Sequence, residues 1–450
     1  MRSRCLSAVM VGVACVVVAC GCGRGPGDAI QEAPARLKPN VVVIIADALR
    51  ADHTTLYGYD RATTPNLASW FRDATVYERA YASASYTPPS VVSILSGLVG
   101  PQHGIQSYYA TVPQDLNLIS TRLAEAGYET CAVVSNPVLS AEFCGLDAHF
   151  AFFDDEPDAE ELNRELPTRS AGATTDAALG WLAARRDATK PHFLYVHYFE
   201  PHGPYTPPPD KPVDFTHQAE RPVPRDRIPE YQRIPGVLDG LEYVDLYDEE
   251  IAYLDREVAR LLDGYAKMYP VEDTLVIFSS DHGESLMDHD RWFRHSYQVY
   301  EELIRVPLAV RGPGFGRARV RTPVSIVDIA PTILSAAGVT APKGLQGEAL
   351  TLTPREGRFL FSESQWELCC AVRGEQKWLA VIKEGGSRMA GWYDLAQDPE
   401  EKRLLKFTYD APEVLRFFEE TFKPRPKASP AVLEEVSEKK RQVLEAMGYL

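Results

Sequence analysis

Residues 275–284 read Leu-Val-Ile-Phe-Ser-Ser-Asp-His-Gly-Glu. A short apolar run that stops at two serines predicts a strand buried on both faces, ending at a sheet edge. A carboxylate, Asp281, and an imidazole, His282, follow at once, then Gly283. Open α/β sheets place their ligands outside the C-terminal ends of the strands, so the stretch predicts a fold and a location for chemistry together. Asp beside His is a pair that a divalent metal accepts. In the alternative reading Asp281 caps the next turn and His282 is an ordinary surface residue; an Asp-His-Gly string is too short to decide.

Residues 40–47, Asn-Val-Val-Val-Ile-Ile-Ala-Asp, repeat the texture. A continuous β-branched run is the pattern of a strand covered on both faces, as in a parallel sheet. It ends in Asp47, a second strand-end carboxylate, although Asp at such a spot is also a common helix cap. A helix starts at Thr64-Pro65-Asn66-Leu67 and runs to about residue 72. Thr87-Pro88-Pro89-Ser90 is a rigid turn whose prolines suit a first helical turn; residues 91–95 continue it as a short helix ended by Gly97. The Thr87 hydroxyl then lies at the positive end of a helix dipole, which favours an anionic oxygen, with a plain N-cap an equal alternative. Further strands are predicted at 130–135, 193–196 and 306–310, and helices at 117–126, 171–185 and 247–262. This alternation argues a doubly wound α/β domain over residues 39–353. The long proline-rich loop after His197 is placed as a site wall. Residues 354–450 read differently, as a small antiparallel sheet (359–362, 370–373, 378–382, 390–394) closed by a helix at 434–447.

The chain has 450 residues, 45% apolar and 24% charged, which suits one large domain plus a smaller one. A net charge of −16 without a basic tract argues against a nucleic-acid partner. Arg2 and Arg4 precede an apolar run at 8–19, too short to span a bilayer as a mature helix. Its end, Val17-Val18-Ala19-Cys20-Gly21, resembles a bacterial lipoprotein signal. That reading removes residues 1–19, puts lipid on Cys20 and makes 20–38 a tether. The expected location is the bacterial cell envelope, lipid-anchored and facing the periplasm or the surface. Cys131 and Cys144 are near enough in sequence for a disulfide in an oxidising compartment, but isolated buried thiols are the default for them and for Cys369 and Cys370.

Taken in order, several stretches resemble the sulfatase family of the alkaline phosphatase superfamily. They are Pro39-Asn40 with Asp47-Ala48-Leu49-Arg50-Ala51-Asp52-His53, Tyr57-Gly58-Tyr59, Thr64-Pro65-Asn66-Leu67, Ser96-Gly97, His103-Gly104 and Pro201-His202-Gly203-Pro204-Tyr205. Ser280-Asp281-His282-Gly283-Glu284, Tyr300-Glu301-Glu302, Arg305-Val306-Pro307-Leu308, Asp328-Ile329-Ala330-Pro331-Thr332 and Tyr393-Asp394-Leu395 complete them. The resemblance implies a mixed, mostly parallel sheet between helices with a small C-terminal antiparallel α+β subdomain. It implies that Asp47, Thr87, Asp281 and His282 hold a metal and that Thr87 occupies the nucleophile position. His202 and His295 would contact the transferred group or the leaving oxygen, with Arg294 a further substrate contact. His103, His192 and His197 are placed in structural, core or rim roles, and His289, Asp52 and His53 outside the catalytic set.

Two departures bear on the chemistry. Most sulfatases carry Cys or Ser at the nucleophile position, with Pro two and Arg four residues on, and convert it to formylglycine; here the residues are Thr87, Pro89 and Val91. Threonine cannot yield formylglycine, because its β-carbon bears a methyl group, and in this it looks like the phosphoethanolamine transferases of the same superfamily. Ala48 stands where many sulfatases have another Asp ligand. The remaining donors suit one divalent metal, zinc or manganese in preference to calcium. The expected activity is hydrolysis of a sulfate- or phosphate-type ester, on a small molecule or a glycan, through a Thr87 alkoxide. The alternatives are a phosphoethanolamine-type transferase and a lipoprotein that binds glycans without turnover.

Overall fold

The computed structural model describes residues 38–158, 168–185, 187, 189–365, 367–383, 386–406, 412–421 and 438–446. The expected signal, Cys20 and the expected tether up to residue 37 lie outside the described residues, as do the ends of the expected closing helix.

An eight-stranded sheet forms the centre, in the order Ala318–Val320, Thr75–Tyr77, Leu308–Arg311, Thr274–Ser280, Asn40–Ala46, His192–Tyr198, Glu129–Val134, Phe152–Asp154. All pairings are parallel except the two made by Leu308–Arg311, so one strand runs against the other seven. The continuous apolar runs follow from coverage of both faces. Along 40–46, Val41, Val43 and Ile45 enter one core, while Val42, Ile44 and Ala46 enter the other. Leu275 and Ile277 against Val276 and Phe278 divide in the same way. Side chains alternate across a strand, so with both faces dry every position must be apolar. Each Val or Ile so buried gains roughly 1.5–3 kcal/mol over exposure. Helices Thr87–Ser96, Ile119–Glu125 and Ile329–Ala336 cover the first face; Pro65–Trp70, Ala171–Ala184 and Gly240–Met268 cover the second.

Several elements differ from the sequence reading, which lacks the outer strands Thr75–Tyr77, Ala318–Val320 and Phe152–Asp154 and the helix Ile329–Ala336. The single strand at 306–310 is two, Arg305–Val306 in a separate three-stranded sheet and Leu308–Arg311 in the central one. Pro307 separates them: it has no N–H for a ladder, and its carbonyl accepts from the Ser279 hydroxyl at 2.8 Å. The long helix spans Gly240–Met268 rather than 247–262; Asp239 caps it through Leu241 N at 2.8 Å, and Tyr243 supplies buried surface in the added turns. Helix Pro412–Thr421, not anticipated, packs Val414 and Phe418 against Phe361 and Trp378.

The C-terminal sheet is antiparallel: Leu360–Glu363, Leu368–Arg373, Gln376–Lys383, Gly386–Asp394. Buried Lys377 holds it to the main body through Glu301 at 3.3 Å and pairs within the C-terminal part with Glu401 at 2.8 Å. Its first strand also reaches the segments that carry Thr87 and His295. Glu363 exchanges backbone bonds with Ser83 and Ser85, and Gln365 N donates to Ser296 O at 2.8 Å. All four described cysteines are free thiols. Cys131 and Cys144 belong to cores on opposite faces of the sheet, which leaves them no route to a disulfide.

Candidate active site

Register assembles the site. Ala46 pairs with Ser280, and Ile45 with both Ser279 and His197. Asp47 and Asp281 therefore leave adjacent parallel strands side by side, on the face that His197 also uses. Asp47 N donates to Tyr198 O at 3.0 Å and Asp281 N to Ala46 O at 3.3 Å, so the backbone fixes both strand ends. On the same face, helix Thr87–Ser96 starts after Tyr86, with Pro88 and Pro89 in its first turn. The Ser90 hydroxyl donates to Asp281 O and pins that helix start against the strand end.

Asp47, Thr87, Asp281 and His282 come together fully buried. Thr87 Oγ1 lies 3.2 Å from His282 Nε2, and that nitrogen is 3.4 Å from Asp47 Oδ1 and 3.8 Å from Asp281 Oδ2. His282 Nδ1 faces Gly283 O at 2.8 Å. A carbonyl only accepts, so in the neutral ring Nδ1 carries the proton and Nε2 turns its lone pair to Thr87. Asp281 Oδ1 accepts from His282 N at 2.8 Å and Ala48 N at 3.3 Å. Ala48 adopts φ 58°, and the Ala48 carbonyl is held by the Tyr247 hydroxyl at 2.7 Å. Burial and the facing Asp281 push the Asp47 carboxyl well up. Burial also acts to raise Asp281, but His282, His197 and the Ala48 N–H outweigh it and hold that carboxyl at about 2.

His197, placed in advance in a core or rim role, belongs to this cluster instead. Asp47, His197 and Asp281 each present a donor atom within 4.8 Å of the others, and all three are buried. Asp47 Oδ1, Asp281 Oδ2 and both His197 ring nitrogens have no hydrogen-bond partner among the described residues. Orphaned buried polar atoms are costly, and a divalent cation answers the two carboxylate oxygens and one His197 nitrogen at once; His197 Nε2 already lies 3.5 Å from Asp281 Oδ2. Two carboxylates balance its charge, and the donor mixture is one zinc or manganese accepts. Sequence reasoning had the signal for His197: it follows the predicted strand 193–196 directly, as Asp47 and Asp281 end theirs. Asn136, also unanticipated, donates its amide to Asp47 Oδ2 and fixes that carboxylate.

His202 and His295 are buried with ring centroids 5.0 Å apart, and His295 is 4.5 Å from His282. His202 Nδ1 faces Gly203 O at 2.7 Å. Burial and the neighbouring His295 lower His202 to about 3 and keep it neutral. Glu284, read in the sequence only as part of a motif, is a fully buried carboxyl with its oxygens 3.4 and 3.5 Å from His295 Nδ1. Burial pushes it up to about 7.

Arg294 is half-buried and stacks on Tyr297, with its guanidinium carbon 4.5 Å from the ring centroid. The other histidines serve packing. His103 bonds Ser93 at 3.0 Å, His192 bonds Tyr265 at 3.0 Å, and His289 pairs with Glu302 at 3.0 Å while stacking on Tyr300. Asp52 pairs with Arg50, whose other arm reaches Asp288 at 2.6 Å; His53 meets Asp248 at 2.7 Å.

Residues 39–339 match the family model described as Sulfatase. The chain is 24% identical over 438 residues to an arylsulfatase of Clostridium perfringens, covering 81% of this chain and 89% of that one. It is 24% identical over 402 residues to an N-acetylglucosamine-6-O-sulfatase of Bacteroides thetaiotaomicron, covering 70% of each. In structure it resembles a phosphonate monoester hydrolase of Agrobacterium radiobacter, with a TM-score of 0.68 at 19% identity, covering 85% of this chain and 94% of that one. With most of its length matched and an alkaline-phosphatase-like sheet beneath the site, the chain belongs to the sulfatase family of hydrolytic enzymes.

Proposed function

We propose that this enzyme hydrolyses a monoanionic ester of the sulfate or phosphodiester type, on a small molecule or a glycan, with Thr87 as nucleophile and one divalent cation as cofactor. The observation that carries the reading is the Thr87 hydroxyl 3.2 Å from a lone-pair nitrogen of His282, beside the Asp47–His197–Asp281 cluster. Asp47, Asp281 and His197 would hold the cation, with His282 and Thr87 at its edge. Such a cation lowers the pKa of a nearby hydroxyl and offsets charge on the ester oxygens. One cation against two carboxylates leaves little surplus charge, which favours a monoanionic ester over a dianionic phosphate monoester.

The Thr87 proton passes to His282 Nε2, and the flanking carboxylates of Asp47 and Asp281 stabilise the imidazolium. Thr87 Oγ1 attacks sulfur or phosphorus, and the bond to the ester oxygen breaks on the opposite side. A proton shared by Glu284 and His295 goes to the departing oxygen. Water then attacks the Thr87 adduct and gives its proton to the emptied Glu284–His295 pair. Thr87 Oγ1 leaves and recovers its own proton from His282. No aldehyde is required, which suits a threonine.

A panel of chromogenic sulfate, phosphodiester and phosphate monoester substrates tests this reading. Turnover of the first or second class, lost with a chelator and restored by zinc or manganese, is expected; binding without turnover on every ester would sink it. The N-terminal sequence supports a second proposal, lipid anchoring through Cys20 at the cell envelope. Among the described residues no helix is long and apolar enough to cross a membrane. Cys20→Ala should move the protein from the membrane fraction to the soluble fraction of a bacterial host and abolish labelling by a radioactive fatty acid. Unchanged membrane recovery and labelling of that variant would refute the anchor.

A further inference from the structure

Beside His295 opens a cavity of about 340 Å³ lined by Ser285, Arg291, Arg294, His295, Tyr297, Gln298, Leu303 and Leu368. It is carried by a tight hairpin, Ser285–Leu286 against Trp292–Arg294. Neither Arg291 nor Arg294 has an ion-pair partner among the described residues, and Arg294 Nε is buried with no hydrogen-bond partner. Arg291 is exposed on the cavity lining, but for the partly buried Arg294 this is unusual in a chain of net charge −16, whose other inward-facing arginines are mostly paired: Arg50 with Asp52, Arg61 with Asp248, Arg358 with Asp328. The Tyr297 ring lies under the Arg294 guanidinium, its centroid 4.5 Å from the guanidinium carbon, and restricts where that side chain swings. A guanidinium on a cavity wall with no carboxylate of its own offers its terminal N–H groups to the oxygens of a carboxylate or sulfate.

We propose, resting on the ester-hydrolase reading, that this cavity binds a second anionic group of the substrate. The substrate class is then a glycan ester whose sugar also carries a carboxylate or a further sulfate, in place of a simple aryl or alkyl ester. The placement supports this. His295 belongs to both the reacting centre and the cavity wall, so a sugar ring lying along it directs its ester to Thr87 and its second anion to Arg294 and Arg291. Gln298 and the Ser285 hydroxyl line the remainder with neutral hydrogen-bonding groups that suit sugar hydroxyls. Leu303 and Leu368 provide an apolar floor.

Calorimetric titration of the whole protein with glucose, glucuronate and glucose 6-sulfate tests the cavity without requiring net turnover. At least one charged sugar should bind tenfold or more tightly than glucose, and which one does identifies the anion. In the Arg291→Gln/Arg294→Gln double variant that preference should fall to within about twofold of glucose, with the thermal midpoint unchanged. Arg294→Lys, which keeps the charge but not the planar fork, should retain only part of it. Equal binding of all three sugars by the wild type, or a preference that survives the double substitution, overturns the proposal. If the wild type turns over no ester, the proposed function fails on its own, and the titration still decides the anion site.

Discussion

Thr87→Ala should lower turnover of any ester the wild type hydrolyses by on the order of 10⁴–10⁶-fold, the range found when a covalent nucleophile is removed. The hydroxyl lost is the group within reach of both His282 Nε2 and the Asp47 carboxyl. Its replacement leaves the cation cluster and the three histidines in place. The fold should barely respond. The helix start is held by Pro88, Pro89 and the Ser90 bond to Asp281 O, so the thermal midpoint should move by no more than about 1–2 kcal/mol of stability implies. Thr87→Ser restores a hydroxyl at the same carbon and should recover most of the activity, losing about tenfold through a freer rotamer. Intact mass after rapid quench should show a sulfo or phospho adduct on the wild type and none on Thr87→Ala. An alanine variant within tenfold of wild type would remove Thr87 from the mechanism and return the chemistry to a directly attacking water.

The five inner strands of the central sheet were legible because their physics is local, whereas the three-residue outer strands Thr75–Tyr77, Ala318–Val320 and Phe152–Asp154 are too short to show a pattern. A strand dry on both faces has no choice but a continuous apolar run, and the residue after such a run stands at the sheet's C-terminal edge. Asp47 directly follows its run and Asp281 stands two serines past its own, so their position is readable locally, while the choice of ligand over cap came with the family resemblance. His197 obeys the same rule but was missed, because its strand extends through the polar-looking His197 and Tyr198 to a point beyond the last aliphatic residue. Asn136 and Glu284 carry no local signal: each matters for what lies across the fold, Asp47 for one and His295 for the other. The hairpin that builds the cavity wall is the least readable part. Met287, His289, Asp290, Phe293 and Ser296 all take positive φ without being glycine. Such backbone is held by its surroundings rather than chosen by its residues. One such hold is visible, since Ser296 N donates to Ser85 O at 2.9 Å, just before Thr87.

Gly283→Ala should cost both activity and stability. A β-carbon there would meet Glu302 O at 2.0 Å, Glu302 C at 3.0 Å and Leu303 Cα at 3.3 Å. These are backbone atoms, with no flexible side-chain end to give way. The two segments are also tied, because Gly283 N donates to Leu303 O at 2.8 Å. Relief of the clash must move the 281–284 turn away from residues 302–303. Gly283 O is the anchor of His282 Nδ1, so the imidazole that faces Thr87 moves with it. A displacement near 1 Å at reacting groups costs about 10²-fold in rate, and forced overpacking costs about 1–3 kcal/mol or more. The matched control is Gly180→Ala. Gly180 is exposed in helix Ala171–Ala184, and an added β-carbon meets nothing within 4 Å. Alanine there should stabilise by about 0.5–1 kcal/mol through helix propensity and leave kcat/KM unchanged. Steady-state kinetics and thermal melts of the two variants side by side separate a local steric effect at the site from a general effect of glycine replacement. A Gly283→Ala enzyme that matches the wild type in both measurements would mean that the turn after Asp281-His282 is slack, and the close approach to Glu302 would then play no part in aiming His282 at Thr87.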